Sequence, residues 1–324
     1  MQKSATCEKR MTDTGYDVIG DIHGHADELE ALLAHLGYER KAGAWRHTER
    51  KAVFLGDFID RGPRQLDAVD IVRRMVDEGH AHAIMGNHEF NAIAWYMRDE
   101  QGQPLRAHTE KNFKQHQAFL AALEGKPELH KEIVEWFLTL PLWQSFDGFN
   151  VIHACWHKGY MDRFSSKLKD GNRLDRDLMP EAATKPSAGE DETLFHAIEV
   201  WLKALETPLP DGHTFLDKDK NLRHEVRVRW WDHSAVLYSD AAVIGEEIRN
   251  RLPVLEIPHS ARYRYPEDAP VFFGHYWMKG EPTVQSSKTA CLDFSVAKQG
   301  KLVAYRWSGE STLSNASLQY VSSL

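Results

Sequence analysis

The chain has 324 residues, 42% of them hydrophobic and 27% charged, a balance that can bury a sizeable core and excludes disordered and collagen-like classes. Its formal charge of −8 offers no broad basic surface, so nucleic acid is disfavoured as the main partner. No run approaches the ~20 apolar residues of a membrane-spanning helix, and residues 1–15 lack the apolar centre of a secretory signal, so a cytoplasmic location without membrane association is expected.

Residues 1–14 read as a disordered tail. A short β-prone run at 16–19 ends in Gly20-Asp21 and is followed by a helical pattern over 25–38, with Leu29, Leu32, Leu33 and Leu36 on one face. The unit then recurs. Residues 52–55 run into Gly56-Asp57 and a helix over 65–78 bearing Leu66, Val69, Val72 and Val76, and residues 81–85 run into Gly86-Asn87-His88 and a helix over 90–97. A further helix is predicted over 128–138, and later strands at 149–154, 270–276, 290–294 and 302–307. Between 156 and 265 the pattern weakens, with helical signal only at 193–205, and this stretch reads as an insertion or lid. Alternating strands and helices predict βαβ units with ligands at the carboxyl ends of the strands.

Those ends, with one late loop, carry Gly-Asp-Ile-His-Gly (20–24), Gly-Asp-Phe-Ile-Asp-Arg-Gly (56–62), Gly-Asn-His-Glu (86–89), Ile-His-Ala (152–154) and Phe-Gly-His (273–275). Taken singly, such residues are ordinary turn formers. Together they offer Asp, Asn and His donors without thiolates, which suits manganese, iron or zinc and does not suggest a structural zinc site. A carboxylate can bridge two cations, and two cations can clamp the attacking and leaving oxygens of an in-line phosphoryl displacement. Cys7, Cys155 and Cys291 are too scattered for a disulfide framework and read as free thiols. Histidines outside the motifs, among them His35, His80, His82, His116 and His130, read as surface residues.

The GDxHG, GDxxDRG and GNHE trio resembles the signature of the calcineurin-like metallophosphoesterases, which include the phosphoprotein phosphatases and the symmetrical dinucleoside tetraphosphatases. The likeness covers residues 16–97, resumes at 141–154 and returns at 271–307. It implies an α/β fold over residues 15–324, two packed mixed sheets flanked by helices, with 156–265 as a helical or irregular insertion. It further implies two divalent cations, manganese first with iron or zinc as alternatives. Asp21, His23 and Asp57 would hold one, and Asp57, Asn87, His153 and His275 the other. His88 then looks like the general acid, with Asp60 orienting its ring and Arg61 gripping the phosphate. A second phosphate-binding arginine is expected at Arg229, with Arg227 and Arg262 as alternatives.

The chain also departs from the family's pattern. Trp156 follows soon after His153 where eukaryotic protein phosphatases carry paired glycines, and is expected to narrow the substrate groove. Tyr276 and Trp277 after His275 are expected to form an aromatic wall, whereas Trp230 and Trp231 read as core or lid packing. The leading expectation is hydrolysis of phosphate monoesters, including phosphoserine and phosphothreonine in proteins, by a metal-bound hydroxide. The alternative is a symmetrical dinucleoside polyphosphate hydrolase, against which Asp60 and Glu89 weigh, because the tetraphosphatases usually lack that aspartate and carry aspartate in place of Glu89. A non-catalytic module that binds phosphorylated partners is disfavoured, since every implied ligand and His88 are present. The expected partner is thus a phosphorylated protein or nucleotide.

Overall fold

A computed structural model describes residues 15–187, 189, 192–216 and 222–323. The tail expected at 1–14, and Cys7 with it, lies outside the described residues. The first sheet starts with three parallel strands, β1 (Gly15–Ile19), β2 (Arg50–Phe54) and β3 (Ala81–Ala83). The second contains the hairpin β4 (Trp143–Phe146) and β5 (Phe149–Ile152), extended in parallel by β6 (Val271–Phe273) and β7 (Thr289–Cys291). The chain then returns to the first sheet as β8 (Asp293–Phe294), β9 (Lys301–Trp307) and β10 (Leu318–Ser322). Antiparallel pairing joins β9 to β1, β8 and β10. The strand expected at 290–294 is therefore two strands in different sheets, divided at Leu292.

Two-residue periodicity explains how these sheets stack. Val18, Val53, Phe149, Val151 and Phe272 meet in one cluster between the sheets. Their neighbours Ile19, Phe54, Ile152 and Phe273 belong to the larger cluster that the helices cover. Those helices include α1 (Ala26–His35), α2 (Gln65–Asp77), α3 (Asn87–Tyr96), α4 (Glu110–Ala122), α5 (Pro127–Leu138) and α6 (Leu194–Lys203). The two-sheet sandwich flanked by helices is as expected, while α4, β4 and β10 were not anticipated from the sequence.

The weakly patterned stretch divides into two parts. Up to Leu205 it belongs to the principal core: Trp201 is buried, its ring centroid lies 4.8 Å from that of Trp143, and its carbonyl accepts the Ala154 N–H at 2.9 Å. Beyond it, Leu209, Val226, Val228, Tyr238 and Ile257 form a small core of their own. Trp230 ties the second part to the sheets, its indole N–H reaching the Ala154 carbonyl and the Tyr276 hydroxyl, each at 3.1 Å. Trp230 and Trp231 are thus packing residues. Among the described residues no helix is long and apolar enough to cross a membrane.

Candidate metal centre

The turns that follow β1, β2, β5 and β6 and the first residues of α3 converge on Asp57. Its Oδ2 lies 3.7 Å from His23 Nε2 and 3.8 Å from His88 Nε2, and its Oδ1 lies 3.4 Å from His153 Nε2. Two donor groups share this carboxylate: His23, Asp57 and His88 form one, and Asp57, His153 and His275 the other, with the donor atoms of each within 4.8 Å of one another. Asn87 Oδ1 joins the second group, 3.1 Å from His153 Nε2 and 2.8 Å from His275 Nδ1. Asp21 Oδ2 accepts the His275 backbone N–H at 3.1 Å. Backbone carbonyls fix two of the rings through Nδ1, Ile59 for His23 at 3.0 Å and Leu55 for His153 at 2.8 Å, which leaves each Nε2 facing Asp57.

The backbone is strained where these side chains are aimed. His23, Asp57, Asp60, Arg61 and His275 all have positive φ, between 50° and 80°, a left-handed conformation that costs on the order of 1–3 kcal/mol for a residue with a Cβ. Two glycines permit the close approach. A Cβ on Gly86 would stand 2.3 Å from the Asp57 nitrogen and Oδ1, and one on Gly274 would stand 2.0 Å from Asp21 Oδ1. Glu89, fully buried, accepts backbone N–H groups from Asp57 at 2.7 Å, Phe58 at 2.8 Å and Gly86 at 3.0 Å. The residue that stood out in the sequence as a departure from the tetraphosphatases therefore shapes the turn carrying Asp57.

Charge at this centre is arranged for cations. Asp21 Oδ1, His23 Nε2 and His275 Nε2 are buried without a hydrogen-bond partner among the described residues. Burial and the nearby Asp293 carboxylate push Asp21 well above the usual carboxylate range. Burial and the His88 ring pull His23 down to about 3, and burial with the Arg227 guanidinium pulls His275 well below the ordinary histidine value. Unpartnered neutral imidazoles beside crowded buried carboxylates are costly in a bare protein and well suited to divalent cations. The residues present therefore fit such ions.

His88 differs from His23. Its Nδ1 lies 2.5 Å from Asp60 Oδ2, and although burial opposes its charge, the Asp57 and Asp60 carboxylates raise it above the ordinary histidine value. With Nδ1 engaged by Asp60 and the charged form favoured, the His88 ring is disposed to hold and release a proton, whereas His23 and His275 are disposed to bind as neutral donors. His116 corrects the surface reading given to it. It is 4% exposed, and its Nδ1 lies 2.8 Å from Asp60 Oδ1.

Arg61 stands exposed at the rim, its guanidinium carbon 4.4 Å from the centre of the Trp277 ring. Lys298 Nζ lies 4.2 Å from the same centre, and the Trp277 ring centroid is 5.6 Å from that of His23. Asp293, which the sequence reading left without a role, accepts the Trp277 N–H at 2.7 Å and the Ser295 N–H at 3.0 Å, locking these two turns together. Tyr276 is buried against Trp231, so only Trp277 of the expected aromatic wall reaches the rim. Trp156, at 4% exposure, is part of the principal core and its ring does not line a groove. Arg229 is set among Arg249, Asp232 and Asp240, and Arg262 bonds to Glu256 and the Ile257 carbonyl. Of the three arginines considered, Arg227 is the one whose charge acts on His275.

Residues 16–245 match the family model described as calcineurin-like phosphoesterase. The chain belongs to this family. It is similar to proteins named bis(5'-nucleosyl)-tetraphosphatase PrpE, asymmetrical: the one from Oceanobacillus iheyensis is 47% identical over 47% of this chain and 58% of its own length. The one from Bacillus mycoides is 32% identical over 66% of this chain and 84% of its own length. Of the first curated relatives the chain spans 56%, 58% and 62% of the length. Among solved structures it is similar in fold to a cold-active protein tyrosine phosphatase, at 16% identity and a TM-score of 0.50, over 95% of this chain and 78% of that one. Calcineurin-like phosphoesterases are hydrolases built on a binuclear divalent centre, and the paired donor groups around Asp57 provide for one.

Proposed function

We propose that this calcineurin-like phosphoesterase hydrolyses the phosphoanhydride chain of dinucleoside tetraphosphates, cutting it unevenly into a nucleoside triphosphate and a nucleoside monophosphate. The hydrolytic part rests on one observation, the Asp57 carboxylate shared by two donor groups. The substrate class is supported by the names of the similar PrpE proteins. Those names specify asymmetrical cleavage, whereas the sequence leads to phosphate monoesters first and to symmetrical cleavage only as the alternative. A tetraphosphate carries charge well beyond the reacting phosphate, and Arg61 and Lys298 place two cations at the rim of a chain whose formal charge is −8.

In this reading Asp21, His23 and Asp57 hold one divalent cation, and Asp57, Asn87, His153 and His275 hold the other. Bound there, the two ions would neutralise phosphate charge and make a coordinated water more acidic. The protein's own groups do the rest. Arg61 and Arg227 meet phosphate oxygens with directed N–H donors. His88, whose charged form burial opposes but Asp57 and Asp60 favour, gives its Nε2 proton to the departing oxygen. Asp60 fixes the tautomer by accepting at Nδ1.

The hydrogen-bonded His88–Asp60 pair also favours a second reading, phosphate monoester hydrolysis, because an alkoxide leaving group needs a proton more than a phosphate one does. The manganese-reconstituted protein should be given diadenosine tetraphosphate and a phosphoserine peptide, with products separated by chromatography. ATP and AMP in equal amounts, formed faster than phosphate from the peptide, are expected. Two equivalents of ADP would restore symmetrical cleavage, and preferential peptide dephosphorylation would favour the monoester reading.

A further inference from the structure

The Asp60 carboxylate is 1% exposed and has a histidine on each oxygen, His88 Nδ1 at 2.5 Å from Oδ2 and His116 Nδ1 at 2.8 Å from Oδ1. Its backbone N–H donates to Gln65 Oε1 at 2.6 Å, and Gln65 Nε2 donates to the Gly62 carbonyl at 2.6 Å. Asp60 is thus held at three points, two on its carboxylate and one on its backbone. His116 comes from α4, whose remaining surface is largely polar. Its ring lies with a centroid 5.9 Å from that of Trp95 and 5.1 Å from that of Phe119, and its Nε2 is buried without a partner among the described residues.

We propose that His116 is a positioning residue for the general acid: by donating its Nδ1 proton to Oδ1 it fixes the rotation of the Asp60 carboxylate, so that Oδ2 alone faces His88. The inference rests on the reading of His88 as the proton donor. A buried carboxylate held by one imidazole can turn about its terminal torsion, which is broad and roughly two-fold. A second donor on the other oxygen removes that freedom. It also holds the His88 ring, and therefore Nε2, in the orientation from which the proton leaves. The segment of α4 that bears His116 thereby becomes part of the catalytic apparatus, although its backbone contributes nothing to the donor groups around Asp57. Its anchoring fits that role, since Arg106 just before α4 donates to Asn91 Oδ1 on α3 at 2.6 Å and to Gln115 Oε1 on α4 at 2.8 Å. The two helices that present His88 and His116 are thus tied together through Arg106, at Asn91 and Gln115.

The test uses three variants of the full chain loaded with zinc, which is diamagnetic. His116→Leu removes the donor at similar volume, His116→Asn keeps an N–H near the Nδ1 position, and His88→Asn marks the acid. Proton NMR should show a far-downfield resonance for the His88–Asp60 hydrogen bond that disappears in His88→Asn, shifts or broadens in His116→Leu, and is retained in His116→Asn. Kinetics on phenyl phosphate, whose leaving oxygen needs a proton, and p-nitrophenyl phosphate, whose leaving oxygen needs it less, supply the second readout. In His116→Leu kcat should fall on the order of 10-fold for the phenyl ester, with a much smaller fall for the nitrophenyl ester, KM little changed, and recovery in His116→Asn. A resonance unaltered in His116→Leu, or equal losses on both esters, overturns the role of His116. A His88→Asn variant without selectivity between the esters overturns the reading of His88, and the inference with it.

Discussion

His153 shows how the metal-free and loaded forms of the centre must differ. Burial opposes its charge, yet the Asp57 carboxylate holds it up to about 10, whereas a ligand must present a bare imidazole nitrogen. A cation therefore has to displace that proton. Metal affinity is expected to rise from about pH 6 to about pH 8, by up to about tenfold per unit for each proton displaced, and calorimetry in buffers of different ionisation enthalpy would register the release. Without metal the sign is reversed. The raised folded-state value contributes stability that is full below 6.5 and lost as pH rises towards about 10. A pH-independent affinity would contradict His153 as a ligand. Trp230 offers a structural test at the same scale, since its N–H serves both the Ala154 carbonyl and the Tyr276 hydroxyl. Trp230→Phe should cost about 1–3 kcal/mol in denaturant unfolding while leaving the metal content unchanged.

At the scale of elements, the close approach of strand ends decides the centre. Gly274→Ala puts a methyl group where Asp21 Oδ1 lies, 2.0 Å from the built Cβ. The variant should fold but bind metal at least about 10-fold more weakly, a loss of the size seen when groups supporting metal ligands are removed. Unchanged affinity would show that Asp21 is free to move without consequence. The elements that carry the donors were legible because each short apolar run stops at a Gly-Asp or Gly-Asn pair, and the Leu29, Leu32, Leu33 and Leu36 face marks α1 without ambiguity. What was not legible has physical causes. Only His116 and Phe119 of α4 are buried, so its sequence carries almost no apolar periodicity, and the histidine that touches Asp60 looked like one on a solvated face. The break at Leu292 was equally hidden, because a continuous run from 290 to 294 gives no sign that its halves pair in different sheets. Trp156 and Tyr276 look like groove residues from their nearness in sequence to His153 and His275, but the turns that follow β5 and β6 carry both into the core.

For the whole molecule, stability and metal binding are linked. A bare centre leaves Asp21, His23 and His275 with unpartnered buried atoms, so ions that bind the folded chain should stabilise it by about 2.7 kcal/mol at 100 times the dissociation constant. Differential scanning calorimetry should record a melting temperature several degrees higher with manganese than with chelator. The fold that makes this possible places both sheets' strand ends at one site while their inner faces share a single hydrophobic cluster. In the proposed function, bound ions and the rim cations offset the net charge of −8 that would otherwise hold a polyanionic substrate off. Lys298→Gln should accordingly weaken inorganic tripolyphosphate binding more than orthophosphate binding, by a ratio on the order of 10, given that loss of a charge-assisted contact costs about 1.5–3 kcal/mol in a favourable geometry.

The most direct test is the metal content of the wild-type chain and of Asp57→Asn after reconstitution with manganese and gel filtration, measured by mass spectrometry alongside hydrolysis. Two ions per wild-type chain are predicted, with both depleted and hydrolysis lost together when the shared carboxylate is removed. Two ions retained by Asp57→Asn, or full hydrolysis by a metal-free wild-type chain, would contradict a centre organised around Asp57.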